Sequence, residues 1–323
     1  MGWFDFPLDK LKTLRSPHPA PKDFDAFWRA TLKEADSFPL DATFVRVDDP
    51  IYQLADVYDV TFRGFGGHPI KGWFIEPAGN KVRRPAWVTY LGYGGGRSLP
   101  VDHLAPAAAG FCHLVMDTRG QGCGWSPGDT PDPAGTGPQV NGFFTRGIDS
   151  RETYYFRRVF TDAVRAVEAA ASHPRVDPGR IAISGGSQGG AIALAAGGLC
   201  GRKVKLVLAD VPTACYFRRG VTIANMGGGY GEITNYLKCH RDRADKVFSV
   251  LDYFDGVNFA ARIKARALVS VGLMDDTCPP STVFAAYNAI TAAKAIRVYD
   301  YNMHEGGGVF QQVEKLHFAT KWL

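Results

Sequence analysis

The chain has 323 residues, 46% of them hydrophobic, and a formal net charge of +5, enough length and apolar content to bury a large core. The positive balance is mild and spread, with dense spots only at Arg157-Arg158 and Arg218-Arg219, so nucleic-acid binding has no support. Charges or glycines break the most apolar windows before bilayer-spanning length, and no membrane partner is expected.

The start, Met1-Gly-Trp-Phe-Asp-Phe-Pro, lacks the basic region, apolar stretch and small-residue cleavage site of a secretory signal. Phe6 stands where a myristoylation motif requires Ser or Thr, which excludes lipidation at Gly2. A soluble, cytoplasmic protein is the expectation. Cys112, Cys123, Cys200, Cys215, Cys239 and Cys278 are scattered with no close pair. That spacing suits neither structural zinc nor a disulfide framework, and reduced, mostly buried thiols are expected.

Residues 1–22 carry prolines at 7, 17, 19 and 21 and read as an extended arm. Asp23 is placed to cap a helix over Phe24–Ala35, so an arm and helix occupy about residues 1–40. Strand-type runs follow at Phe44–Val47, Val57–Arg63 and Ile70–Ile75. The last two flank a glycine-rich hairpin signal at 64–69, which predicts an antiparallel start to the sheet. After a charged turn from Lys81, Ala86–Leu91 reads as a core strand leading into Gly92-Tyr93-Gly94-Gly95-Gly96-Arg97. Arg97 falls where a dinucleotide fingerprint needs glycine, so no such cofactor site is read here. A glycine-rich loop after a core strand is instead placed to supply an oxyanion donor, against the plainer reading of a flexible turn.

Phe111–Asp117 is a further buried strand, followed by Thr118-Arg119-Gly120-Gln121-Gly122 and a long Gly/Pro-rich loop to about Asp149. Loops of that length often shape a site or an interface. Thr153–Ala171 predicts an amphipathic helix with Phe156, Phe160, Val164 and Val167 on one side. Ile181–Ser184 is a buried strand and Ala191–Leu199 a buried helix. Between them lies Gly185-Gly186-Ser187-Gln188-Gly189, a Gly-x-Ser-x-Gly match in the strand-turn-helix context of a nucleophile elbow. Val204–Leu208 is a strand, and about 212–264 reads as a helical, lid-like insertion. Ala267–Val271 resumes the sheet and ends at Gly272-Leu-Met-Asp275-Asp276. A helix over Ser281–Ala289, a strand over Ile296–Tyr299, the loop Asn302-Met-His304-Glu305 and a helix to about Lys321 complete the chain. The pattern predicts one α/β domain over 1–323.

A serine hydroxyl is a poor nucleophile until a base takes its proton, and the base needs an orienting carboxylate. On an α/β-hydrolase scaffold these arrive in the order Ser, acid, His, on loops at strand ends. Of eight histidines, only His304 falls in a loop after the last strand. For the acid, Asp275 and Asp276 remain open, with Asp300 and Asp210 as outsiders. Glu305 reads as a loop anchor. The backbone N–H groups of Tyr93 and Gln188 are the candidate oxyanion donors.

Arg119-Gly-Gln121, Gly185-Gly-Ser187-Gln-Gly189 and His304-Glu305 resemble the signature of carbohydrate esterase family seven, the acetyl xylan esterases and cephalosporin C deacetylases. Phe24-Asp-Ala-Phe27-Trp28, Tyr93-Gly-Gly-Gly-Arg97, Asp255-Gly-Val-Asn258-Phe259, Gly272-Leu-Met-Asp275 and Cys278-Pro-Pro-Ser-Thr-Val-Phe284 extend the likeness over nearly the whole chain. It implies an α/β-hydrolase fold with a mostly parallel central sheet, antiparallel N-terminal strands and a lid-like insertion. It also implies Ser187 as nucleophile, Asp275 as acid, His304 as base, Tyr93 and Gln188 as oxyanion donors, and Arg119 and Gln121 as braces near the elbow. The implied activity is removal of acetyl groups from sugars, xylo-oligosaccharides or cephalosporin-type substrates, without cofactor or metal, in a homo-oligomer built as a hexamer. Gly94-Gly95 departs from the Asn-Gly pair expected after Tyr93. A peptidase or lactone hydrolase, or a catalytically silent binding module on the same scaffold, are the rival readings.

Overall fold

The computed structural model describes residues 3–79, 82–135 and 140–323; the readings at Met1, Gly2 and Lys81, and part of the long loop at 136–139, lie outside them. Short apolar runs bounded by turn residues become strands; the central ones, with no polar face to give to water, are covered on both sides, while Thr43–Arg46 at the sheet edge stays largely exposed. Among the described residues these are β1 (Thr43–Arg46), β2 (Ala55–Arg63), β3 (Pro69–Pro77), β4 (Arg84–Tyr90), β5 (Cys112–Met116), β6 (Val176–Gly186), β7 (Leu206–Asp210), β8 (Arg266–Gly272) and β9 (Lys294–Tyr299). They form one sheet in the order β1-β2-β3-β5-β4-β6-β7-β8-β9. The first three strands pair antiparallel, as the hairpin signal predicts, and β3 meets β5 antiparallel. From β5 through β4 to β9 every pairing is parallel.

The helices are α1 (Leu8–Thr13), α2 (Phe24–Asp36), α3 (Leu104–Ala108), α4 (Tyr155–Ser172), α5 (Gln188–Leu199), α6 (Phe217–Ile223), α7 (Gly229–Cys239), α8 (Ala244–Leu251), α9 (Gly256–Ala260), α10 (Pro280–Ala289) and α11 (Gly308–Trp322). Side chains alternate along the central strands between two cores. Val88, Ile181, Ile183, Val207 and Ala209 join the larger core with α2, α4, α5 and α10. Trp87, Ala182, Leu206, Leu208 and Leu268 join Phe111 and Ala319 on the α11 side. This is the expected α/β-hydrolase architecture, and its loops at the strand C-termini carry the candidate residues.

Several local expectations change. The arm is not wholly extended: α1 buries Leu11, and Asn288 Nδ2 donates to the Leu11 and Leu14 carbonyls at 2.9 Å each, tying the arm to α10. Asp23 precedes α2 without capping it, because its carboxylate is engaged by Arg151 and Tyr253. One apolar side understates α4, which also buries Arg158, Asp162 and Arg165. These charges are held by Asp132, by Arg119, and by the Arg63 and Phe38 carbonyls respectively. Residues 212–264 fold as α6 to α9, and Phe254 and Phe259 stack edge-on against Trp28 of α2, so this segment shares the main core. None of the cysteines forms a disulfide, and Cys112, Cys200, Cys215 and Cys278 are buried while Cys123 and Cys239 are exposed. No helix among the described residues is long and apolar enough to cross a membrane.

Candidate active site

Strand β6 ends at Gly186 and α5 begins at Gln188, which leaves Ser187 alone to make the turn. Its backbone takes φ 57° and ψ −119°, a sparsely populated conformation that costs on the order of 1–3 kcal/mol. The surroundings impose it: Ser187 N–H donates to the Asp210 carbonyl at 3.0 Å, and the Ser187 carbonyl accepts from Thr213 N at 3.1 Å. The flanking glycines allow strand and helix to approach. A Cβ on Gly185 would lie 2.3 Å from the Gly189 backbone, and one on Gly189 would lie 2.3 Å from the Tyr90 carbonyl oxygen.

The loop after β9 brings His304 to this turn. His304 Nε2 lies 2.9 Å from Ser187 Oγ, and Nδ1 lies 2.9 Å from Asp275 Oδ2. A carboxylate oxygen only accepts, so the tautomer serving both partners carries its proton on Nδ1 and accepts the serine hydroxyl at Nε2. Asp275 is buried, and its other oxygen accepts from Thr277 N at 2.9 Å and Cys278 N at 2.8 Å. These donors fix the carboxylate with Oδ2 facing the imidazole.

Asp276 points elsewhere, accepting from Asn225 Nδ2 at 2.8 Å. Asp210 is engaged by Lys315, Gln311 and Ser270, and Asp300 accepts from Trp3 Nε1 through its carbonyl. Glu305 accepts from Asn302 Nδ2 at 2.7 Å and Met303 N at 3.1 Å, which stiffens the loop around His304. Burial disfavours a charged imidazole, but the Asp275 hydrogen bond and then the adjacent Cys278 sulfur outweigh it, and the basicity of His304 is raised above its ordinary value. Asp275, Cys278 and His304 also hold metal-type donor atoms within 4.8 Å of one another; hydrogen bonds already occupy the Asp275 oxygens and the His304 nitrogens.

Tyr93 lies just beyond β4, and Gln188 is the first residue of α5. Neither backbone N–H has an acceptor among the described residues, and the α5 N-terminus favours negative charge in front of it. The Tyr93 carbonyl accepts from Trp125 Nε1 at 2.8 Å, while Gly94 N donates to Gln121 Oε1 at 2.8 Å.

Gln121 and Gln188 pair through their amides, with Gln121 Nε2 donating to Gln188 Oε1 at 2.8 Å and Gln188 Nε2 to Gln121 Oε1 at 3.2 Å. Gln121 Nε2 also reaches Tyr155 Oη at 3.0 Å, and that hydroxyl donates to the Arg119 carbonyl. The fully buried Arg119 guanidinium grips Asp162 through two contacts of 2.6 and 2.7 Å. The two strand-end loops are thereby locked to the elbow and to α4. Sequence reasoning missed Tyr155, Asp162, Cys278 and Glu232 of α7. The acidic Asp162 amid the apolar repeat of α4 was the one available signal, since a charge on a core face needs a buried partner.

The family model described as acetyl xylan esterase (AXE1) matches residues 1–322. The acetyl esterase Axe7A of Xylanibacter ruminicola is 32% identical over 286 residues, 88% of this chain and 63% of the relative, so the chain spans less than two thirds of that protein. The solved structure of an acetyl xylan esterase from Paenibacillus sp. R4 superposes with a TM-score of 0.91 at 38% identity, covering 98% of this chain and 100% of the other. Acetyl xylan esterase 1 from Thermoanaerobacterium sp. JW/SL YS485 gives 0.89 at 34% identity, with 99% and 100% covered.

Proposed function

The chain belongs to the acetyl xylan esterase family, and from that premise we propose that it is a serine esterase releasing acetate from acetylated sugars and short xylo-oligosaccharides. Acetylated cephalosporins, which present an ester of the same small acyl group, fall under the same proposal. Ser187 Oγ attacks the acetyl carbonyl carbon while His304 Nε2 takes the hydroxyl proton. The Asp275 carboxylate holds Nδ1–H and stabilises the imidazolium that forms. The oxygen of the tetrahedral intermediate becomes an anion and accepts from the Tyr93 and Gln188 N–H groups. When the intermediate collapses, His304 returns the proton to the leaving sugar oxygen, and the acetyl group stays on Ser187. A water molecule, deprotonated by His304, then attacks the acyl-enzyme; the bond to Ser187 Oγ breaks, His304 returns the proton to that oxygen, and acetate departs.

The observation that carries this reading is the continuous contact from Ser187 Oγ through His304 to Asp275, each step 2.9 Å, beside two backbone donors with no acceptor among the described residues. Loss of a single oxyanion donor typically costs about 10²–10³-fold in rate, so both parts of the site are needed. A homo-oligomer belongs to the same proposal and is checked by light scattering.

The test compares p-nitrophenyl acetate with butyrate and octanoate esters, and measures acetate released from acetylated xylo-oligosaccharides and from cephalosporin C. Rapid turnover of the acetyl substrates, abolished by Ser187→Ala, is expected. Undiminished activity of that variant, or preference for the long acyl chains, refutes the reading.

A further inference from the structure

Glu232 takes no part in the reaction just described, yet it is tied to the loop that carries one of its proposed donors. Its Oε1 accepts from the Tyr93 hydroxyl at 2.6 Å and from Gly142 N at 2.9 Å, and its Oε2 accepts from Phe144 N at 3.1 Å. Tyr93 Oη accepts in turn from Gly142 N at 3.0 Å and Phe143 N at 2.9 Å. The Phe143 and Phe144 rings pack edge-on against the Tyr93 ring, with centroids 6.0 and 5.2 Å away. Burial first, and the Glu232 charge second, push the Tyr93 phenol well above its ordinary pKa, so it remains the donor to the carboxylate.

The residues around Tyr93 explain why this matters. Gly92, Gly94, Gly95 and Gly96 bring no side chain with which to hold the loop, and glycine leaves the backbone its widest freedom. Tyr93 is therefore held at its carbonyl by Trp125, at the following amide by Gln121, and at its far tip by Glu232. With these three points fixed, its own N–H has no acceptor among the described residues. We propose that Glu232 is a positioning residue of the oxyanion hole: through the Tyr93 hydroxyl it sets the direction of the Tyr93 N–H toward the tetrahedral intermediate. The inserted helices then serve as one wall of the catalytic apparatus. This inference rests on the reading of Tyr93 N–H as an oxyanion donor.

Glu232→Ala removes both acceptor oxygens, so the Tyr93 hydroxyl loses the partner that holds it, whereas a glutamine could still accept from Tyr93 with its amide oxygen and turn its NH2 toward Phe144. Tilting a donor forfeits part of what its loss would cost, so kcat on p-nitrophenyl acetate is expected to fall about tenfold with KM within about twofold, the mark of an interaction made in the transition state. Tyr93→Phe cuts the same link from the other side and is expected to match it. The double variant should be no slower than the slower single variant, because both changes act through one bond. Thermal midpoints verify that each protein is folded. If Glu232→Ala does not fold, Tyr93→Phe carries the test alone.

A folded Glu232→Ala with parental kcat overturns the inference. So does a rise in KM at constant kcat, or losses that multiply in the double variant. Folded Tyr93→Phe with parental kcat overturns it as well. Ser187→Ala, assayed alongside, separates the two levels. If that variant is as active as its parent, the serine-esterase reading fails and this inference falls with it. If it is dead while Glu232→Ala is unchanged, only the positioning role is lost.

Discussion

Substituting Gly189 with alanine puts a methyl group 2.3 Å from the Tyr90 carbonyl oxygen and 2.9 Å from its carbon. A carbon–oxygen contact of this kind needs about 3.3 Å, so the start of α5 must retreat from the end of β4 by roughly 1 Å. Neither side yields easily, since the obstacle is main chain in the central sheet rather than a movable side chain. The retreat carries Ser187 and the Gln188 N–H away from the loop that bears Tyr93. Because a misplacement of about 1 Å costs roughly 10²-fold in a positioned reaction, Gly189→Ala should lower kcat by about that factor. Overpacking should cost about 1–3 kcal/mol of stability.

Gly186, three residues earlier in the same glycine-rich turn, is the control. A Cβ there would meet nothing nearer than 3.9 Å, and Gly186→Ala should keep kcat within about threefold, since ordinary contact imposes no displacement. Steady-state hydrolysis of p-nitrophenyl acetate, normalised by fluorophosphonate titration of Ser187, measures the chemistry, and thermal unfolding measures the strain. A Gly189→Ala protein with parental kcat, or a Gly186→Ala protein equally impaired, would refute the elbow geometry as the source of reactivity.

Four further outcomes are expected. His304 must be unprotonated to act as a base, so activity should rise with pH through its pKa, and this limb should lie above that of free imidazole, about 6.5. In Asp275→Asn burial still disfavours the cation while the main raising influence is gone, so the limb should move to lower pH as kcat falls by about 10³–10⁴-fold; a pH–rate profile whose limb stays or moves upward contradicts this. Asp162→Ala leaves the buried Arg119 guanidinium with the neutral His68 ring and the Phe65 carbonyl and, among the described carboxylates, only Asp132 at 3.4 Å, which Arg158 also uses. It should cost about 3–5 kcal/mol in urea unfolding. Glu314→Ala, which breaks the half-exposed pair with Arg297, should cost about 1 kcal/mol or less. Equal losses would contradict the role assigned to burial.

Much of the molecule was legible because its signals are local. Apolar runs such as Phe111–Asp117 and the Gly-rich turn at Ser187 announce a strand and an elbow from residue type and spacing alone, and His304 is singled out by following the last strand. Local signals fail where a distant partner competes. Asp23 has the residue type and position of a helix cap, yet Arg151 and Tyr253, remote in sequence, take its carboxylate. The apolar repeat of α4 marks one side of the helix, and the acidic Asp162 hints at a buried partner, but nothing in the segment reveals that Asp132 and Arg119 are the groups opposite its charges.

Asp275 and Asp276 mark the same division at the site. By itself the sequence determined that a carboxylate follows β8, a serine caps the turn after β6 and a histidine follows β9, since each is set by its own strand and turn. Spacing left Asp275 and Asp276 open and only the family resemblance named Asp275; what turns that carboxylate to the histidine is decided in three dimensions. Thr277 and Cys278 turn two backbone N–H groups onto Asp275 and aim its free oxygen at His304, while Asn225, some fifty residues away, draws Asp276 in another direction. Adjacent residues of identical chemistry differ only in what the folded chain places around them, and hydrogen bonds between remote segments leave no trace in spacing.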